Sequence, residues 1–152
     1  MKASTRREFL LTSGTGLALL AAGCASTVSD FAQKIGRRVV VIGGGWGGAT
    51  AAKYVRLADP SIEVVLLEPN RQFVSCPFSN LVLSGVRSIE SMTFDYSRLR
   101  DHGVRVLHEM ATAIEPETRR VKVGGGYLPY DRLIVSPGVE FQWEQVEGLA
   151  AV

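Results

Sequence analysis

The segment from Arg37 to Glu68 constrains the fold more than any other part of the chain. Arg37-Arg38-Val39-Val40-Val41-Ile42 is a continuous β-branched run. It is too short for a helix and apolar on both faces, the pattern of a central parallel strand. It leads directly into Gly43-Gly44-Gly45-Trp46-Gly47-Gly48, which places G-x-G-x-x-G at Gly43, Gly45 and Gly48. A helix is predicted through Ala49–Ala58, where Asp59-Pro60 stops it. Its first turn has no acidic side chain, so its positive dipole end is free to face a phosphate. A second strand, Glu63–Glu68, ends on a carboxylate about 20 residues beyond Gly48. Strand, glycine turn, helix and acid in this order form a dinucleotide-binding fingerprint. Gly43 serves the tight turn, Gly45 the close approach of a pyrophosphate, and Gly48 the packing of helix on strand. Glu68 is placed to accept hydrogen bonds from both hydroxyls of an adenosine ribose and to disfavour a 2′-phosphate. The alternative, a glycine-rich turn in an unrelated α/β domain, requires all four features to coincide without purpose.

Beyond Glu68, a short helix is predicted over Phe94–His102, closed by Gly103, and a strand over Val104–Leu107. Alternating apolar positions at Ala111–Ile114, Arg120–Val123 and Tyr127–Tyr130, joined by Glu115-Pro116-Glu117-Thr118 and Gly124-Gly125-Gly126, predict a three-stranded antiparallel insert. Asp131–Val135 is a further strand, ending at Ser136-Pro137-Gly138. The expected class is therefore α/β: a Rossmann-like dinucleotide-binding βαβ unit with a three-stranded antiparallel insert and an incomplete second half. Trp46, inside the glycine turn, either covers the cofactor or packs on the helix. Glu140 is a candidate only by its position after the Pro-Gly turn. His102 and His108 read as surface residues at a helix end and a strand end.

The first residues read as an address. Thr5-Arg6-Arg7-Glu8-Phe9-Leu10 matches the twin-arginine export pattern. The apolar stretch Leu10–Ala22 would rise only about 20 Å as a helix, short of the roughly 30 Å hydrocarbon core, so no transmembrane anchor is expected. Residues 1–25 are read as the signal, cut after Ala25 or at a lipobox-like Ala21-Ala22-Gly23-Cys24 that would put a lipid on Cys24. Residues 26–36 are a leader, and 37–152 the cofactor domain. Twin-arginine export carries folded proteins, which by itself anticipates a cofactor inserted before export. Of 17 basic and 15 acidic side chains, Lys2, Arg6, Arg7 and Glu8 precede Ser26, and the remainder balance. That neutrality removes the electrostatic basis for nucleic-acid binding. The two cysteines, Cys24 and Cys76, make neither a disulfide framework nor a zinc cluster.

The order of elements is that of the first half of the FAD domain in flavoproteins with two dinucleotide-binding domains. Those proteins usually end the last strand with Ala-Thr-Gly; here Ser136-Pro137-Gly138 departs from that but keeps the glycine, which lets the backbone pass near the cofactor. In Gly43–Gly48, Ala49–Asn70, Cys76 with Ser79-Asn80, and Tyr130–Gly138, the chain resembles the flavoprotein subunit of flavocytochrome c sulfide dehydrogenase. The resemblance implies FAD as cofactor, held covalently through a thioether from Cys76 to the flavin 8α carbon. It implies periplasmic oxidation of sulfide, with electrons passing to a c-type cytochrome subunit. The catalytic redox disulfide of that family is expected beyond residue 152, and no C-x-x-C-H haem site occurs in this sequence. The chain is accordingly read as an N-terminal portion. Two other readings share its features: a sulfide:quinone reductase or type II NADH dehydrogenase, and an inactive truncated remnant.

Overall fold

The computed structural model describes residues 36–140, 142–145 and 147–148. The export signal, the lipobox cysteine and most of the leader lie outside the described residues.

Four parallel strands form the central sheet in the order β5-β2-β1-β9: β1 is Arg38–Ile42, β2 Glu63–Leu67, β5 Arg105–Leu107 and β9 Arg132–Val135. β1 is central, pairing Val40 with Val65 on one side and with Leu133 on the other. Helix α1, Trp46–Ala58, makes the crossover from β1 to β2. It begins three residues before the predicted Ala49, so Trp46, Gly47 and Gly48 make up its first turn.

Period-two alternation assigns the strand side chains to two cores. On one face, Val39, Val41, Val64 and Leu66 pack with Ala52 of α1, Tyr96 and Val104. On the other, Val40, Val65, Leu67 and Leu107 meet Val121, Val123, Leu128 and Tyr130. Those last residues come from the predicted insert, an antiparallel sheet of β6 (Ala111–Glu115), β7 (Arg120–Val123) and β8 (Gly126–Pro129). The insert therefore covers the face that a second crossover helix would otherwise cover. Each fully buried Val or Leu there contributes about 1.5–3 kcal/mol.

The segment after Glu68 differs from expectation. Phe94 lies not in a helix but in β4, Thr93–Asp95, which pairs antiparallel with β3, Gln72–Val74. Between them lies a five-residue helix α2, Ser79–Leu83, and the helix that follows β4, α3, covers only Ser97–Asp101. Asp95 explains the boundary: its carboxylate accepts from the Ser97 backbone N–H at 2.9 Å and from the Ser97 hydroxyl, which starts the turn at residue 95. These bonds hold the Asp95 carboxyl below its ordinary acid range.

Among the described residues, no helix is long and apolar enough to cross a membrane.

Candidate functional site

The carboxyl ends of β1, β2 and β9 meet around the glycine turn. Gly43 takes φ +94°, and a Cβ there would lie 2.0 Å from the Ser136 carbonyl oxygen, so the loop after β9 passes directly over the turn. Ser136 N–H donates to the Ile42 carbonyl at 2.8 Å, holding that loop in place. A Cβ on Gly48 would fall 1.8 Å from the Gly43 carbonyl oxygen and 3.3 Å from Val41. The first and third glycines of the motif are thus required by contact. Gly45 differs: its added Cβ would meet nothing closer than a Phe73 ring atom at 3.8 Å. The space over it is open, and it forms the N-cap of α1 with no side chain capping the helix. The N–H groups of the first turn have no acceptor within the helix itself.

Glu68 follows β2 and is 9% exposed. Its Oε2 accepts from the Gly44 N–H at 2.8 Å, and its Oε1 from the Asn70 N–H at 2.8 Å and Asn70 Nδ2 at 2.9 Å. A carboxylate offers about four acceptor positions, so about one remains, on Oε2. Sequence reasoning placed Glu68 as an acceptor for two hydroxyls but did not foresee that protein donors already hold it. Asn70 was missed as a partner because the side-chain-to-backbone turn two residues on is a signal carried by Asp and Asn, and here the acceptor is a glutamate.

Tyr96 was likewise missed. It is 4% exposed, and its hydroxyl donates to the Gly44 carbonyl at 3.2 Å. Burial, followed by the nearby Glu68 charge, pushes its phenol up to about 12. His108 is half-buried rather than a surface residue. Arg100 can only donate, so His108 Nε2 accepts from it at 2.9 Å and Nδ1 carries the proton to the Glu68 carbonyl at 3.1 Å. This ties the end of β5 to the end of β2. His102 is exposed at the close of α3.

A groove of about 470 Å³ runs across these strand ends, with Glu68 and Asn70 on one side and Ser136, Pro137 and Gly138 on the other. Gly138 has φ +83°. An adjoining cavity of about 260 Å³ is walled by Trp46, Ala49, Phe73, Phe94, Tyr96 and Leu99. Trp46 packs edge-on to Phe73 with ring centroids 6.0 Å apart and remains 57% exposed. Glu140 is exposed.

Cys76 is exposed in the loop between β3 and α2. Its carbonyl accepts from the Ser79 N–H at 2.9 Å. The neighbouring Ser75 is buried, donates its N–H to the Met92 carbonyl at 2.8 Å, and reaches the Pro77 carbonyl with its hydroxyl at 3.3 Å. Phe78 adopts φ +68° under the Arg87 guanidinium, 5.5 Å from its ring centroid.

A parallel sheet with a glycine turn, an uncapped helix end and an acid after the second strand matches one family model over residues 37–151, that of the pyridine nucleotide-disulphide oxidoreductases. The chain belongs to that family. Within it, the chain is 65% identical to the sulfide dehydrogenase (flavocytochrome c) flavoprotein chain of Chlorobaculum thiosulfatiphilum over 46 residues, 30% of this chain and 96% of that sequence. It is 29% identical to the mitochondrial sulfide:quinone oxidoreductase of Dictyostelium discoideum over 74% of this chain and 25% of the relative. The solved sulfide:quinone oxidoreductase of Aquifex aeolicus superposes with a TM-score of 0.64 at 27% identity, covering 69% of this chain and 25% of that one. The chain thus spans about a quarter of the length of the sulfide:quinone oxidoreductases it matches.

Proposed function

We propose that this chain is the FAD-binding part of a sulfide dehydrogenase, exported by the twin-arginine pathway and passing electrons from sulfide through flavin to a c-type cytochrome subunit. The observation that carries the reading is the open, uncapped α1 end at Gly45, set in a groove bounded by Glu68 and Gly138. The residues fit FAD. N–H groups of the first turn of α1 would hold the pyrophosphate, and the free position on Glu68 Oε2 a ribose hydroxyl. Gly138 would let the backbone pass beside the cofactor, and Trp46 would lie against it. Bound FAD would supply the two-electron chemistry that sulfide oxidation needs. Identity of 65% to a flavocytochrome c flavoprotein favours sulfide as the reductant and a cytochrome as the acceptor. Export rests on Arg6-Arg7, with residues 1–25 as signal, 26–36 as leader and 37–152 as the cofactor domain.

Cys76 is the proposed covalent anchor, an exposed thiol in the loop after Glu68 and its Asn70 partner. The test uses the full-length protein from a periplasmic fraction. Acid denaturation should leave yellow flavin on the polypeptide, and the mass of the peptide containing Cys76 should include it. Cys76→Ser should release the flavin while keeping reversible binding. Absence of the protein from the periplasm contradicts export. An unmodified Cys76 in flavin-loaded protein contradicts the anchor and favours the sulfide:quinone branch, to which the Dictyostelium and Aquifex similarities also point.

A further inference from the structure

Three consecutive glycines, Gly43-Gly44-Gly45, form the turn at the site. Glycine has the most backbone freedom to lose on ordering, so such a run does not hold one shape by itself. Four contacts hold this one. Gly43 N–H donates to the Leu67 carbonyl at 2.9 Å, and Gly45 O accepts from Ala49 N–H at 2.9 Å, anchoring the two ends. The middle residue is gripped by side chains: Glu68 Oε2 takes the Gly44 N–H at 2.8 Å, and the Tyr96 hydroxyl donates to the Gly44 carbonyl at 3.2 Å.

The carbonyl contact has a consequence one residue on. The Gly44 carbonyl and the Gly45 N–H belong to one trans peptide plane and point in opposite directions. A donor fixed on the carbonyl therefore aims the Gly45 N–H, and it stops the peptide from flipping its oxygen toward an incoming anion. Tyr96 is built for this. It is buried against Val41, Ala52 and Leu66, so its ring cannot swing away. A Cβ on Gly44 would lie 2.6 Å from the Tyr96 oxygen and 2.8 Å from Glu68 Cγ, so the fit is close on both sides. With its phenol raised to about 12, the hydroxyl stays a donor throughout the neutral range.

We infer that Tyr96 is a positioning residue for the phosphate-binding turn: by pinning the Gly44 carbonyl it sets the Gly45 peptide before the dinucleotide arrives. The inference rests on the dinucleotide reading above. Its position in the chain, at the start of α3, makes the β3–β4 hairpin and α3 part of the cofactor machinery and not only a cover for the sheet.

The test uses full-length protein carrying Cys76→Ser, so that flavin exchanges, with and without Tyr96→Phe, which removes one oxygen and keeps the ring. Affinities for FAD and ADP should fall on the order of three- to tenfold, as for the loss of one neutral hydrogen bond. Adenosine, measured as a competitor, has no pyrophosphate and should bind unchanged. Amide exchange in the ligand-free protein should quicken in the peptide covering the glycine turn while the melting temperature holds. Unchanged ADP affinity with unchanged exchange overturns the inference. An equal loss for ADP and adenosine, with a lower melting temperature, also overturns it, because that marks a general structural role. If the parent protein binds neither FAD nor ADP, the dinucleotide reading itself fails and the role of Tyr96 falls with it.

Discussion

β2 carries a glutamate at each end, and the two are held in opposite ways. Glu63, at the amino end, faces cations: Arg38 Nε donates to it at 2.7 Å, and Arg105 bonds its other oxygen. Arg38 is fully buried, and its backbone N–H also donates to Asp131 at 2.7 Å, so ion pairs tie β1, β2 and β5 at this end and a backbone hydrogen bond adds the start of β9. Glu68, just past the carboxyl end, is held by neutral N–H donors of Gly44 and Asn70 and by no cation among the described residues. A neutralised carboxylate is an anchor. One held only by dipoles has no cation beside it to oppose its field, which would attract the hydroxyl donors of a ribose and repel a 2′-phosphate. Under the proposed function, the same residue type thus serves structure at one end of β2 and recognition just past the other.

That contrast can be broken at either end. Glu63→Ala removes one carboxylate from beside the buried Arg38 guanidinium and should cost up to about 3–5 kcal/mol of stability, the range for breaking a buried ion pair. Urea unfolding of the ligand-free, full-length protein reads this, and ADP affinity of the protein that remains folded should be unchanged. A loss below about 1 kcal/mol would place the pair with exposed ones, which contribute little. Glu68→Ala should act the other way round. Affinity for FAD and ADP, measured in the Cys76→Ser background, should weaken by about 1–3 kcal/mol, typical for a hydrogen bond involving a charge. Part of that loss should reach the pyrophosphate, because Glu68 also holds the Gly44 N–H. Binding undiminished in Glu68→Ala would erase the functional difference between the two glutamates.

Much of this arrangement was legible beforehand, for identifiable reasons. β1, β2 and β9 are apolar on both faces and short, and the glycines and Glu68 sit at fixed offsets from them, so local pattern and tertiary role coincide. The insert was legible because turn residues separate its alternating strands. Tyr96 was not, since it lies 52 residues from the Gly44 carbonyl it serves and no spacing rule connects them. The β3–β4 hairpin was missed because its strands are three residues each and their partner lies across α2, too far for a turn signal. Phe94 fell inside the predicted helix because Gly103 marks where that helix closes, whereas its start is set by the Asp95 turn, which ends the strand first. His108 read as a surface residue because its contacts, to Arg100 and to the Glu68 carbonyl, are visible only once β5 lies beside β2.

Whether the turn after β1 receives a dinucleotide is decided at Gly45. Its backbone, φ −68° and ψ −169°, suits any residue, and its Cβ direction is open. Gly45→Val should therefore fold with an unchanged melting temperature in the ligand-free state, while its side chain fills the space over the α1 end. Full-length Gly45→Val protein should be a folded chain that carries no flavin. A folded Gly45→Val protein with normal flavin content would contradict it.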